Sequence, residues 1–91
     1  MKADEMRTLA KKSVNKELLR QAIANCEADI RRVASKGENC LCRNPYFVYM
    51  GQREDRGVLD ALIEHLQKNG FTVKDSTSSK WVGAMYISWK N

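Results

Sequence analysis

The chain has 91 residues, 43% of them hydrophobic and 30% charged, which is the balance of one small globular domain and excludes both a disordered chain and a two-domain protein. No apolar run approaches the roughly 20 residues that a membrane span needs, and the start, MKADEMRTLAKK, lacks the apolar stretch of a signal peptide. Three cysteines, an odd number, fit a reducing compartment better than a disulfide framework, so the expected location is the cytoplasm.

Residues 3–12 read as a short helix or N-terminal arm, with Met6, Leu9 and Ala10 on one side. Residues 14–36 read as a long helix. Leu19, Ala22, Ile23, Cys26, Ile30 and Val33 form one stripe of helical period. Met6 and Leu9 fall off that stripe, which predicts a bend near Lys12 to Asn15, with Ser13 or Asn15 as the cap and Gly37 as the stop.

The stretch ENCLCRNPYFVYM follows. Pro45 to Met50 is too short for a helix of its own and is rich in aromatic and β-branched residues, so it is expected to be a strand, with CLCR as the loop feeding it. GQRE is a turn. Asp55 is placed to cap a third helix whose buried stripe is Val58, Leu59, Leu62, Ile63 and Leu66. QKNGF stops it, with Gly70 in the left-handed position and Phe71 folding back on Leu66. FTVKD alternates as a half-buried strand, STSSK is a polar loop, and WVGAMYISWK is expected to be one long final strand.

The order α-α-β-α-β-β predicts an α+β fold over a single domain, residues 1–91. The long last strand goes in the middle of a three-stranded antiparallel sheet of order 1-3-2, with helices two and three on one face.

The ADEMR.LA start, the helix closing on ASKGE, the helix closing on L.KNGF.V and the YISW end together resemble a family of small proteins encoded by phages and prophages. The resemblance implies a viral or prophage accessory protein. It carries over no activity and no site residues, since the family has no assigned activity.

Chemistry-bearing motifs are sparse. Cys26, Cys40, Cys42 and His65 would just make up a zinc set, but Cys40 and Cys42 are separated by one residue and Cys26 lies on the helix stripe. The redox Cys-x-x-Cys motif and a Gly-rich phosphate loop are both lacking. The expectation is no catalytic residue, no metal and no cofactor.

The net charge of +5 sits almost wholly on residues 1–37, which hold nine basic against five acidic residues. Lys11, Lys12, Lys16, Arg20, Arg31, Arg32 and Lys36 are the candidate phosphate contacts of a weak, nonspecific nucleic-acid binder, with Tyr46 and Tyr86 as stacking surfaces. Against this, Glu27–Arg31 and Asp29–Arg32 have the spacing of helix ion pairs, which neutralise part of the charge.

Strand parity makes both sheet faces apolar near the centre, while two helices cover one face. The other face, carrying Tyr46, Val48, Met50, Val82 and Tyr86, is the expected subunit contact of a homo-oligomer, first of all a dimer, with cover by the short first helix through Met6 and Leu9 as the alternative. The leading expectation is therefore a protein-interaction module without catalytic activity, its partner a host or phage protein or a second copy. A small-molecule pocket at an oligomer seam is the third reading, and no membrane contact is expected.

Overall fold

The computed structural model describes residues 15–90, and Ala3 ahead of them. The helix expected over 3–12 falls otherwise outside the described residues, as do Lys11 and Lys12. The fold is α+β. Its elements are α1 (Lys16–Ala34), β1 (Cys40–Arg43), the single-turn α2 (Pro45–Val48), α3 (Arg56–Lys68), β2 (Thr72–Asp75) and β3 (Met85–Ser88).

α1 begins where the side chain of Asn15 accepts the Leu18 N–H at 3.0 Å, so Asn15 is the cap. It ends in short-range carbonyl bonds from Lys36 and Gly37 to Val33 and Ala34, with Gly37 left-handed. α3 is capped by Asp55, whose carboxylate accepts from Val58 N–H at 3.1 Å. At its other end Phe71 N–H donates to Leu66 C=O and Gly70 N–H to Gln67 C=O, both at 3.1 Å. That double closure with a left-handed glycine is the stop that QKNGF encodes.

The sheet order is β1-β3-β2, antiparallel throughout. Leu41, Ile87 and Val73 lie side by side across the sheet, as do Cys42, Tyr86 and Lys74. Alternation therefore turns Leu41, Met85, Ile87 and Val73 toward the helices. There they meet Leu18, Ala22, Cys26, Ile30 and Val33 from α1 and Val58, Leu59, Leu62 and Leu66 from α3. Each large aliphatic side chain fully buried here contributes about 1.5–3 kcal/mol.

Two expectations are corrected. The first strand is Cys40–Arg43, not Pro45–Met50. Asn44 and Pro45 are a helix start instead: the proline takes the first helical position, where its missing N–H costs nothing, and the Asn44 side chain accepts from Phe47 N–H at 3.4 Å. The last strand is also shorter than expected. Gly83, at φ +95°, breaks the extended run, and only Met85–Ser88 join the sheet.

The face assigned to a subunit contact accordingly does not exist as one surface. Tyr46 and Met50 are core residues at 2% and 0% exposure, because a helical turn, not a strand, sets their direction. Val48 and Val82 lie outside the strands, and only Tyr86 is on the second sheet face. That face carries Cys40, Cys42, Thr72, Lys74, Tyr86 and Ser88, a mixed rather than an apolar set. Among the described residues, no helix is long and apolar enough to cross a membrane.

Candidate functional site

α2 and the hairpin between β2 and β3 stand against each other. Asn44 joins the two. Its Oδ1 caps α2, while its Nδ2 donates to the carbonyls of Ser79 and Gly83 at 3.3 and 3.2 Å. The hairpin is held further by Ser76 N–H to Ala84 C=O and Ser78 N–H to Val82 C=O, each at 3.0 Å. Glu54 accepts the Lys80 N–H at 3.0 Å from the turn before α3.

A second tether is Arg56, the first residue of α3. Its guanidinium pairs with Asp75 and with Asp60, and donates to Thr77 C=O at 3.3 Å. These partners hold the Arg56 guanidinium above its ordinary pKa, the Asp75 hydrogen bond most of all. The Asp75 carboxyl is held below the carboxylate range. Burial pushes it up, but the Thr77 N–H and Arg56 outweigh that.

Thr77 is buried here, and its N–H and its side chain both help to hold the Asp75 carboxyl low.

On this frame stand four exposed apolar residues: Phe47 and Val48 from α2, and Trp81 and Val82 from the hairpin tip. Trp81 is 68% exposed and Val82 58%. The Phe47 and Trp81 rings meet edge to face with centroids 5.7 Å apart. The Lys80 ammonium sits 5.0 Å from the Trp81 ring centre, a cation–π contact on one side of the indole. The indole is thus oriented by its neighbours but uncovered.

The basic residues take no such common position. Lys16, Arg20, Arg31, Arg32 and Lys36 are all exposed on α1 or just beyond it. Arg32 is paired to Asp29 as the sequence spacing predicts, whereas Glu27 reaches His65 across to α3 at 3.5 Å. Tyr46 is buried and offers no stacking surface; Tyr86 is half-buried on the open sheet face.

The cysteines divide in two. Cys26 packs in the core, where burial pushes its thiol up to about 12. Cys40 and Cys42 are exposed on the open sheet face. They line a shallow groove of about 600 Å³ with Glu38, Tyr86, Ser88 and Lys90. Among the described residues, no three His, Cys, Asp or Glu side chains gather to hold a metal ion. The CLCR segment is therefore an edge strand whose middle residue, Leu41, enters the core.

Sequence reasoning missed the Phe47–Trp81 pairing, because 34 positions separate the two residues and strand parity set Phe47 and Val48 on opposite faces of a sheet. Asn44-Pro45 was the available signal that this stretch is helical. Comparison with known proteins finds no matching family model, curated relative or solved structure.

Proposed function

We propose that this chain is a small phage-type accessory protein of the host cytoplasm that acts by binding another protein, without catalysis. The observation that carries this reading is the exposed Phe47–Trp81 ring pair, with the exposed Val48 and Val82 next to them in sequence. Large apolar side chains gathered on a surface are a recurring mark of contact sites, and tryptophan is among the residues most enriched at energetic centres of interfaces. A patch that had no partner would cost solubility and gain nothing for the fold. The frame beneath it also favours binding: Asn44, Glu54 and Arg56 hold the hairpin in place, so little further ordering is required when a partner docks.

Nucleic acid is the weaker reading, because Tyr46 is in the core and the cations lie dispersed along α1. The test is affinity capture from the cell that makes the protein, with wild type and a Phe47→Ser/Trp81→Ser variant as baits. The double variant removes exposed side chains, so it is expected to melt within a few degrees of wild type. Wild type should retain a protein that the variant loses, a second copy of this chain being one such outcome. Identical recoveries from two folded baits would remove the basis for the patch as the contact.

A further inference from the structure

The outer edge of β1 has backbone groups to spare. Trp89 N–H donates to Asn39 C=O at 3.0 Å, which makes these two a hydrogen-bonded pair. Alternation along the antiparallel ladder then directs the backbone of Leu41 and Arg43 toward β3 as well. On the other side of β3, Ser76 N–H donates to Ala84 C=O at 3.0 Å, so Tyr86 and Ser88 bond to β2 and the alternation is consistent. The N–H and C=O groups of Cys40 and Cys42 therefore point away from the sheet. Among the described residues, only the Cys42 carbonyl has a partner, the exposed Arg43 guanidinium at 2.9 Å.

Such an edge is a template for one more strand. What kind of strand is decided by what lies above it. α1 packs on β1. An antiparallel pairing of β1 with the β1 of a second copy, about a two-fold axis perpendicular to the sheet, would bring its own α1 onto the same face. The two helices would then lie about one strand spacing, ~4.8 Å, apart, where packed helices need about 8–10 Å. A bare extended segment brings no such helix. Its side chains on the open face would lie over the groove of Cys40, Cys42 and Tyr86. Its end nearest Arg43 would reach α2, which starts two residues later and carries Phe47 and Val48.

We propose that the outer edge of β1 receives an extended segment of a partner protein, apolar at alternate residues, as a fourth, antiparallel strand, continuous with the Phe47–Trp81 pair. This rests on the interaction reading above and names the kind of partner it takes. Recognition is by main-chain hydrogen bonds at Cys40 and Cys42, with specificity from side chains over the groove and against Phe47.

The experiment titrates labelled wild-type protein with a set of peptides of about eight residues, alternating Val, Ile or Phe with Thr or Ser. Each has a counterpart N-methylated at alternate residues, which cannot donate. At least one peptide should bind with a Kd below about 1 mM, slow the exchange of the Cys40 and Cys42 amides, and lose at least about tenfold in affinity on N-methylation. Cys42→Pro removes an outward N–H at an edge position, which a strand tolerates, and should weaken the same peptide at least about tenfold. Cys40→Pro serves if that variant does not fold, and the N-methylated arm needs no variant at all. No binding by any peptide at about 1 mM, or binding indifferent to N-methylation, overturns the proposal. The Phe47→Ser/Trp81→Ser protein separates the two readings: edge binding that persists in it supports the edge, whatever the capture experiment says of the patch.

Discussion

Asp29→Ala lowers the stability of the fold by about 2–3 kcal/mol, a large share of the ~5–15 kcal/mol typical of a domain. Asp29 is a carboxylate at 8% exposure in a helix whose neighbouring stripe is apolar, and it stays there because its oxygens are fully engaged. One oxygen accepts from the Tyr49 hydroxyl at 2.8 Å and lies 3.3 Å from the Arg43 guanidinium as an ion pair; the other accepts from Arg32. This one side chain therefore ties α1 to β1 and to the segment after α2. Truncation leaves the Tyr49 hydroxyl, in a residue with 0% exposure, without an acceptor, and that omission costs about 1–3 kcal/mol. The arginines add less, since Arg32 and Arg43 keep 56% and 34% side-chain exposure and water screens them. Asp29→Ala/Tyr49→Phe removes donor and acceptor together and should recover about 1 kcal/mol or more of the loss. Chemical denaturation of the three proteins checks both figures; an Asp29→Ala protein as stable as wild type would contradict the network.

The same residue sets a pH dependence. Burial alone would push the Asp29 carboxyl up, but the Tyr49 and Arg32 hydrogen bonds and the nearby Arg43 charge hold it below the carboxylate range. A carboxyl lower in the folded than in the unfolded chain stabilises the fold above the unfolded value, about 3.9. That contribution disappears as pH falls from about 4 through the folded value. The stability difference between wild type and Asp29→Asn should thus hold from neutral pH down to about 4 and shrink below it. Asp75 shifts in the same direction, so wild type alone does not isolate the effect, whereas the difference between the two proteins does.

Gly83→Ala is expected to cost about 3 kcal/mol and to dismantle the candidate contact surface. Two terms add. At φ +95° an L residue carries about 1–2 kcal/mol of backbone strain. The new Cβ would also stand 2.2 Å from the Ser76 carbonyl oxygen and 2.8 Å from Thr77 Cα, both backbone atoms that move only with the hairpin. Relieving that overlap costs about 1–3 kcal/mol more. The Gly83 carbonyl is also an anchor for the Asn44 amide, so the shift propagates to α2 and to Phe47. Gly70→Ala is the control: φ is +90°, yet nothing stands within 4 Å of the added carbon, so only the strain term applies. A Gly83→Ala protein no less stable than Gly70→Ala would show that the close approach is absent in solution.

The long-range order of the fold was legible where a period repeats many times. The caps at Asn15 and Asp55 and most of the apolar stripes of α1 and α3 follow from side-chain chemistry and spacing, although Leu19, Ile23 and Ile63 are only half-buried and Leu18 and Asp29 take buried places in α1 that the stripe did not include. The sheet order 1-3-2 followed from connectivity, and it survives an error about which residues form the first strand. That error has a physical reason. CLCR offers one inward residue, Leu41, and four positions are too few for a period to be read. YFV has the β-branched and aromatic character of a strand, while the decision is made by Asn44 and Pro45 ahead of it. The final strand was overextended because Val82 and Trp81 look like strand residues, whereas Gly83 folds back against Ser76. The candidate site lies at these two places, where local chemistry overrides propensity, so it was hidden by the misreadings that made Val48 and Val82 members of a sheet face.

The proposed contact requires that a partner cover Phe47 and Trp81 when the protein is in its own cell. Hydroxyl-radical labelling measures this directly, with the protein dilute and purified in one sample and in fresh lysate in the other. Trp89, half-buried against Phe71 with ring centroids 6.4 Å apart, is the internal reference. Oxidation of Trp81 and Phe47 relative to Trp89 should fall several-fold in lysate, as burial of an exposed indole requires. Unchanged ratios in the two samples would contradict the claim.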